Sequence, residues 1–140
     1  SPIWRKGGTT FGPRPRDWSY HAPVTQRRVA LRSALCGKFQ DGEVALFDAA
    51  GFTAPSAKTA RGVLATAGSP RRALVITASR NENVWKSFRN FPRVAVRAAI
   101  DLCAYDVLAA GLVLAEAAAL DALATRVGKV TADMSQDGVA

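Results

Sequence analysis

Residues 72–78 read RALVITA, a run in which apolar side chains are almost uninterrupted. Three shorter runs share this character: EVALFD at 43–48, VAVRA at 94–98 and GLVLA at 111–115. A strand that covers only one face of a sheet alternates apolar and polar residues, whereas near-continuous apolar character is typical of a strand buried on both faces. We therefore predict four strands in a sheet that is covered on both sides.

Helical stretches lie between and around these runs. We predict helices at about 26–39, 56–67, 81–90, 105–108 and 117–127. Strands and helices in alternation indicate βαβ units with right-handed crossovers, and hence a parallel sheet. The predicted fold class is α/β: a three-layer domain with a mainly parallel sheet of about four strands flanked by helices.

Both ends of the chain differ in composition from this domain. Residues 1–20, SPIWRKGGTTFGPRPRDWSY, contain three glycines, three prolines, four aromatic rings, four cations and one acid. We predict an extended basic arm at 1–22, the α/β domain at 23–128 and a polar tail at 129–140. The longest apolar run, 107–115, is shorter than the ~20 residues that a membrane-spanning helix needs, so we expect no membrane segment.

The formal net charge is +8 and the pI is about 10.3, which favours a polyanionic partner. The charge is unevenly distributed along the chain. Residues 1–38 contain eight cations and the single acid Asp17, whereas residues 39–140 contain eleven cations and ten acids. The excess positive charge therefore belongs to the arm and the helix that follows it, and the remaining domain is almost neutral.

The arm combines the residue types that bind RNA. Arginine and lysine neutralise phosphates, and aromatic rings stack on unpaired bases. For Trp18 and Tyr20 a second interpretation stays open, in which the rings pack in a small cluster against their own domain. The candidate RNA-binding residues are Trp4, Arg5, Lys6, Gly7, Gly8, Phe11, Arg14, Arg16, Trp18, Tyr20, Arg27, Arg28, Arg32 and Lys38.

The first predicted helix contributes the last four of these candidates. Leu31, Leu35 and Phe39 are spaced at i, i+4 and i+8, which predicts that they share the buried face. Arg28 and Arg32 lie close to that face. Three interpretations stay open for them: they contact RNA, they serve the fold by pairing with Asp41 or Asp48 or by packing their stems, or they form a solvated charged stripe.

The motifs of an enzyme are missing from the sequence. It contains neither the glycine-rich turn of a dinucleotide fold nor a phosphate-binding loop with its lysine. The single histidine, His21, lies in the arm, and Asp48 suits a helix cap or a loop contact as well as a catalytic role. We therefore predict no catalytic residue, no metal and no cofactor. The alternative function is a small α/β enzyme or nucleotide-binding domain with a basic surface.

The two cysteines, Cys36 and Cys103, are expected to be buried thiols in a reducing compartment.

Four segments of the chain resemble a known family. In order they are SPIWRKGGTTFGPRPRDWSY at 1–20, RRVALRSALCGKFQDGEVALFD at 27–48, NENVWKSFRNFPRVAV at 81–96 and AYDVLAAGLVLAEAAALDAL at 104–123. Together they resemble the large-subunit ribosomal protein L-four (L4) family of bacteria and organelles, and the resemblance covers residues 1 to about 127.

The resemblance implies a structural role in the large ribosomal subunit rather than catalysis. It implies an α/β domain on the outside of the subunit and a basic loop that reaches inward toward the nascent-peptide exit tunnel, with residues 1–20 as the returning half of that loop. The implied partners are large-subunit rRNA and neighbouring ribosomal proteins, in a bacterial cytoplasm or in an organelle such as the mitochondrion. The first strand, the first helix and the outward half of the loop would precede Ser1, so a separate chain is a possible further partner. Without that strand, one sheet edge is expected to lack its neighbour.

Overall fold

A computed structural model of the chain describes residues 1–68 and 70–133. After residues 1–23, which contain no helix or strand, helices and strands alternate along the described chain. In chain order these are α1 (Val24–Gln40), β1 (Val44–Phe47), α2 (Ala57–Thr66), β2 (Ala73–Thr77), α3 (Glu82–Phe88), β3 (Val94–Ala98), α4 (Ala104–Ala109), β4 (Leu112–Glu116) and α5 (Ala117–Asp133).

The four strands form one parallel sheet in the order β1-β4-β2-β3. The two central strands, β2 and β4, have the most buried residues, and every residue of β2 is buried. A strand inside a parallel sheet has a strand on each side and helices on both faces, which explains the unbroken apolar run at 73–76. The predicted α/β class with a four-stranded parallel sheet is confirmed.

Alternate residues of the central strands enter two different cores. Leu74 and Ile76 face a cluster to which α1, α4 and α5 contribute, including Leu31 and Leu123. Val75 faces the opposite cluster, with residues of α2 and α3. Successive strand side chains point to opposite faces, so one apolar run serves both cores, and three layers result.

Helix α3 is held against the loop that follows β1 by polar and aromatic contacts. The Asn83 side-chain amide donates hydrogen bonds to the carbonyl oxygens of Phe52 and Thr53, at 3.2 and 2.9 Å. The ring of Phe88, which is fully buried, lies 5.6 Å from that of Phe52 and 6.3 Å from that of Phe47, measured between centroids. These contacts position α3 beside β3.

The prediction that Phe39 lies on the buried face of α1 is wrong, because its side chain is 55% exposed. An α-helix has about 3.6 residues per turn, so a residue four positions further on lies slightly past the starting point. After two such steps, Phe39 has rotated away from the face of Leu31 and points to solvent. Lys38 comes almost two full turns after Leu31 and so lies nearer to its face, and the Lys38 side chain is 13% exposed.

The expectation of buried cysteines is also wrong, since Cys36 and Cys103 are both exposed. Cys36 is two residues from the buried Ala34, which places it on roughly the opposite side of α1, facing outward. Cys103 directly precedes α4, and its Sγ lies 3.1 Å from Oδ2 of Asp106, to which it donates a hydrogen bond.

The structure tests the predictions for the two ends of the chain only in part. Residues 1–21 are exposed and only Ala22 is half-buried, while their extended form as an arm stays a prediction. Helix α5 continues to Asp133, six residues beyond its predicted end, so residues 129–133 are helical rather than irregular. The rest of the predicted tail, 134–140, lies outside the described residues.

Candidate nucleic-acid interface

The first seven residues form two consecutive turns. Trp4 N–H donates to the carbonyl of Ser1 at 3.1 Å, and Gly7 N–H donates to the carbonyl of Trp4 at 2.7 Å. A Cβ atom added at Gly7 would overlap the carbonyl oxygen of Ser1, whereas one added at Gly8 would meet nothing within 4 Å. The close approach of the backbone here therefore requires glycine at Gly7 but not at Gly8.

The four aromatic rings of residues 1–22 stay exposed. Trp4, Phe11, Trp18 and Tyr20 each have between 76% and 86% of their surface accessible. The alternative interpretation, a cluster of Trp18 and Tyr20 against the domain, therefore has no support from their burial. An exposed ring next to cations offers a face on which an unpaired base can stack.

Arg16 and Trp18 already form a stacked pair. The guanidinium carbon of Arg16 lies 3.4 Å from the centroid of the Trp18 ring. Between them, Asp17 accepts a hydrogen bond from Ser19 N–H at 2.8 Å, and this bond, with a second from the Ser19 hydroxyl, lowers the pKa of the Asp17 carboxyl. The remaining cations here, Arg5, Lys6 and Arg14, are exposed, and none of the three forms a salt bridge with a described residue.

Helix α1 presents its arginines in two different settings. Arg27 and Arg28 line a groove of about 430 Å³ between the first turns of α1 and the loop from β3 to α4, and Arg126 of α5 lies in the same groove. Arg32 is exposed and lies outside that groove. Arg28 and Arg32 form no salt bridge within residues 1–68 and 70–133, so the alternative of pairing with Asp41 or Asp48 is not realised there.

Lys38 differs from the other candidates because it has an anionic partner in the fold. Its Nζ lies 2.5 Å from Oε2 of Glu43, and its side chain is largely buried. A cation whose charge is already matched releases fewer counterions on binding RNA than a free one does. We therefore leave Lys38 out of the proposed contact surface.

Asp48 and His21, the two residues with a possible catalytic role, are not part of a catalytic arrangement. Asp48 accepts a hydrogen bond from Ala50 N–H at 2.8 Å, which is a loop contact, and His21 is exposed in the N-terminal segment. Across residues 1–68 and 70–133, no group of histidine, cysteine or acidic side chains could hold a metal ion. None of the helices in the same part of the chain is long and apolar enough to span a membrane.

A second basic surface lies on the α/β domain, and none of its residues is among the candidates predicted from the sequence. Residues 71–97 contain seven cations and one acid, although residues 39–140 as a whole are almost neutral. All seven cations are exposed, and two exposed rings accompany them. We name this set the edge surface: Arg71, Arg72, Arg80, Trp85, Lys86, Arg89, Arg93, Arg97 and Tyr105. A charge count in a short window moved along the sequence would have found it.

Comparison with known proteins gives concordant matches. Residues 1–126 match the model of the ribosomal protein L4/L1 family. The chain is similar to the large ribosomal subunit protein uL4 of Desulforudis audaxviator, with 46% identity over 108 residues, which are 77% of this chain and 52% of the relative. It is also similar to the large ribosomal subunit protein uL4 of Symbiobacterium thermophilum, with 44% identity over 110 residues, or 79% of this chain and 53% of the relative. The chain thus spans about half the length of the relatives it matches.

Proposed function

Since this chain belongs to the ribosomal protein L4/L1 family, we propose that it is a structural, rRNA-binding constituent of the large subunit of a bacterial ribosome. Its partners in this proposal are large-subunit rRNA and the ribosomal proteins beside it, in the cytoplasm. A role near the nascent-peptide exit tunnel and the supply of the N-terminal half by a further segment or chain belong to the same proposal.

The observation that carries the proposal is the surface of residues 1–22. Four exposed rings alternate there with exposed cations, next to the exposed Arg27 and Arg32 of α1. Such a surface neutralises phosphates and offers stacking faces to bases, and it needs no reacting group. Its cations have no anionic partners among the described residues, so their charge is available to RNA.

RNA would also provide the contacts that residues 1–22 need in order to adopt a fixed conformation. A segment with almost every residue exposed buries too little apolar surface to offset its conformational entropy. Contact with phosphates and bases would order it, and the affinity should fall steeply as salt displaces the protein from the phosphates.

The test is the affinity of the full chain for transcribed large-subunit rRNA, measured over a series of salt concentrations. Replacing Arg14 with glutamine should make the plot of log affinity against log salt shallower by about one unit. The matched control is Lys58→Gln, which removes an exposed cation from α2 and should leave the slope unchanged. Equal slopes for the unsubstituted chain and Arg14→Gln would contradict the proposed contact.

A further inference from the structure

The outer edge of β3 has no neighbouring strand among the described residues, because β3 is the last strand in the order β1-β4-β2-β3. The carbonyl oxygen of Arg93 accepts a hydrogen bond from β2 at 3.1 Å, and Ala99 N–H donates one to β2 at 2.8 Å. The backbone groups of successive residues in a strand point to opposite edges, so every second residue from Arg93 to Ala99 faces β2. The backbone groups of Val94, Val96 and Ala98 therefore face outward.

Four of these outward groups are available for pairing. Val94 N–H already donates to the carbonyl of Phe91 at 3.4 Å, and the carbonyl of Ala98 accepts from Asp101 N–H at 3.0 Å. The carbonyl of Val94, both groups of Val96 and the N–H of Ala98 have no hydrogen-bond partner within residues 1–68 and 70–133. Two residues of an added parallel strand, spaced by two positions, would satisfy all four. Such a row of free groups is a template for strand addition.

Pockets lie along β3 on both faces of the sheet. On the face covered by α4, a pocket of about 230 Å³ is lined by Arg93, Ala95 and Tyr105, among others. On the face covered by α2, a pocket of about 280 Å³ is lined by residues that include Leu64 and Val94. Side chains of a strand alternate between the two faces of a sheet. A strand added along β3 would therefore place successive side chains in these two pockets.

A cleft of about 810 Å³ opens within the edge surface, at the carboxyl ends of β2 and β3. Trp85, Arg97 and Tyr105 line it, together with Arg80 and Asp101. The helices that follow these two neighbouring strands, α3 and α4, pack on opposite faces of the sheet. Open α/β sheets bind ligands in the crevice that forms where connections diverge in this way. The cleft thus has room for the end of a segment that runs along β3.

The charge of the edge surface determines which kind of strand can pair with β3. Of its seven cations, Lys86 pairs with Glu82 at 3.0 Å and Arg97 with Asp106 at 3.2 Å. The other five, all arginines, form no salt bridge with any residue that the structure describes. Unpaired cations along a strand edge repel a basic strand and attract an acidic one.

The two edges of the sheet differ in charge. Residues 41–48, which include β1, contain three acids and no cation. An acidic strand is therefore repelled at β1 and attracted at β3. A second copy of the chain could place its β1 edge against β3, but contacts between two different edges do not close and would continue from copy to copy as a filament. A separate protein is the occupant that gives a finite complex.

The backbone of Arg93 gives an independent indication. Arg93 directly precedes β3 and has a φ of 71°, in the left-handed region that glycine tolerates and other residues rarely adopt. Its carbonyl accepts a hydrogen bond from Ala73 N–H at 3.1 Å, so the sheet holds it in this conformation. Strained residues of this kind cluster at functional sites. A cation is present here although glycine would relieve the strain.

We propose that the outer edge of β3 is a docking site for an acidic, extended segment of another protein, which pairs with β3 as a fifth strand. Apolar side chains of the segment enter the two pockets, and acidic side chains at its ends meet Arg93 at one end and Arg80 at the other. This inference goes beyond the proposed function, because it does not depend on RNA binding.

Single-stranded RNA is the competing occupant of this basic edge. Its sugar-phosphate backbone has no row of amide donors and carbonyl acceptors at strand spacing, so it cannot continue the ladder of the sheet. An acidic peptide uses both the charge and the four free backbone groups, and for this reason the peptide is favoured.

The experiment measures amide exchange in the full chain, with and without a nine-residue peptide that has two glutamates at each end and alternating valine and threonine between them. The N–H groups of Val96 and Ala98 face outward and should exchange quickly in the chain alone. Bound peptide should slow the exchange of both at least tenfold. The N–H groups of Ala95 and Arg97 already face β2 and should not change, which makes them an internal control.

Two methylated forms of the peptide test whether a ladder forms. One has N-methyl groups on alternate residues, and the other has them on the residues in between. Only one of the two sets of amides can face β3, because backbone groups alternate between the edges of a strand. We expect one form to bind about tenfold more weakly, since it loses its hydrogen bonds to β3, and the other to bind like the unmodified peptide.

Variants of the chain connect binding to the charge of this edge. Arg80→Gln and Arg93→Gly should each weaken binding of the peptide severalfold, whereas the control Lys58→Gln, on α2, should not change it. Arg93→Gly should not lower the stability of the fold, so weaker binding by this variant cannot be attributed to unfolding.

The outcomes separate this inference from the proposed function. The docking site is refuted if the peptide leaves exchange at Val96 and Ala98 unchanged, if both methylated forms bind like the unmodified peptide, or if a single-stranded RNA protects these amides and the peptide does not. It is also refuted if the chain alone forms oligomers that lengthen with its concentration and protect the same amides, since a second copy is then the occupant. Binding of rRNA by the unsubstituted chain and by Arg14→Gln is measured separately, so the proposed function can stand when this inference fails.

Discussion

At the scale of single residues, each of the two basic surfaces contains a cation with a strained backbone. Within residues 1–68 and 70–133, two residues other than glycine have a positive φ, Lys6 at 63° and Arg93 at 71°, and both are cations. A left-handed backbone costs a residue with a Cβ atom roughly 1–2 kcal/mol. Lys6 belongs to the segment we assign to rRNA and Arg93 to the edge surface, so both positions hold a charge at the expense of stability.

Arg93→Gly should raise the free energy of unfolding. Glycine removes the left-handed strain but adds freedom to the unfolded chain, so we expect a net gain of about 0.5 kcal/mol. Urea denaturation measures it. Arg93→Ala, which removes the same charge and keeps the Cβ atom, is the control and should show no gain. A less stable glycine variant would contradict the assignment of strain.

Phe88→Ala should be strongly destabilising, because the ring is fully buried between those of Phe47 and Phe52. We expect a loss of about 3–5 kcal/mol, a large part of the roughly 5–15 kcal/mol that stabilises a typical domain. Trp85→Ala on the same helix is the comparison, with a much smaller loss expected because Trp85 is half exposed. Equal shifts in the urea midpoint would show that Phe88 is not a core residue.

At the scale of elements, helix α1 and the loop after β3 form the groove beside the N-terminal segment. Arg126 of α5 holds this loop, because its Nη1 donates to the carbonyl oxygens of Ala99 at 2.7 Å and Leu102 at 2.9 Å. The same loop contributes Asp101 to the groove and to the cleft of the edge surface. One arginine therefore maintains the shape of both.

Arg126→Met should cost about 2 kcal/mol of unfolding free energy, since two carbonyls lose a charged donor while the apolar stem is retained. Hydrogen exchange at residues 101–104 should accelerate in this variant. Arg61→Met on α2, where the arginine is exposed and has no salt bridge to a described residue, should stay within about 0.5 kcal/mol of the unsubstituted chain. An unchanged exchange rate in Arg126→Met would refute the role of Arg126 in holding the loop.

Arg28→Ala and Arg32→Ala should each weaken rRNA binding and reduce the salt slope by about one unit, with little change in melting temperature. Lys38→Ala on the same helix is the matched control. It should leave the slope unchanged and lower the stability by up to about 1 kcal/mol, because it breaks the pair with Glu43. If all three variants gave the same slope as the unsubstituted chain, α1 would not belong to the RNA-binding surface.

At the scale of the whole molecule, positive charge lies in two regions, the N-terminal segment with α1 and the edge surface. The α/β domain has its own two cores, and residues 1–21 are exposed. Binding and folding should therefore be separable by truncation.

Removal of residues 1–22 should leave a folded α/β domain with a melting temperature close to that of the full chain. It should also abolish stable co-sedimentation with large subunits at moderate salt, because the phosphate contacts proposed for residues 1–22 would be lost. Circular dichroism and sedimentation measure the two effects. Full co-sedimentation of the truncated chain would show that this segment is not the anchor.

The sequence by itself determined the elements and the class of fold. Continuous apolar runs predicted all four strands, and VAVRA at 94–98 matches β3 at both ends. The alternation of runs and helices predicted parallel pairing. These features depend on local periodicity and on chain order, both of which can be read along the chain. The separation of charge between residues 1–38 and the rest was equally readable.

Only the tertiary structure decided which parts of the chain are neighbours. It placed β4 between β1 and β2, covered most of the Lys38 side chain while turning Phe39 outward, and exposed both cysteines. It also brought Trp85 and Tyr105 to one cleft beside Arg97, although the whole of β3 separates the two rings along the chain. Local periodicity gives the face of an element but not the surface that will cover it, because burial and charge pairing depend on contacts between residues distant in sequence.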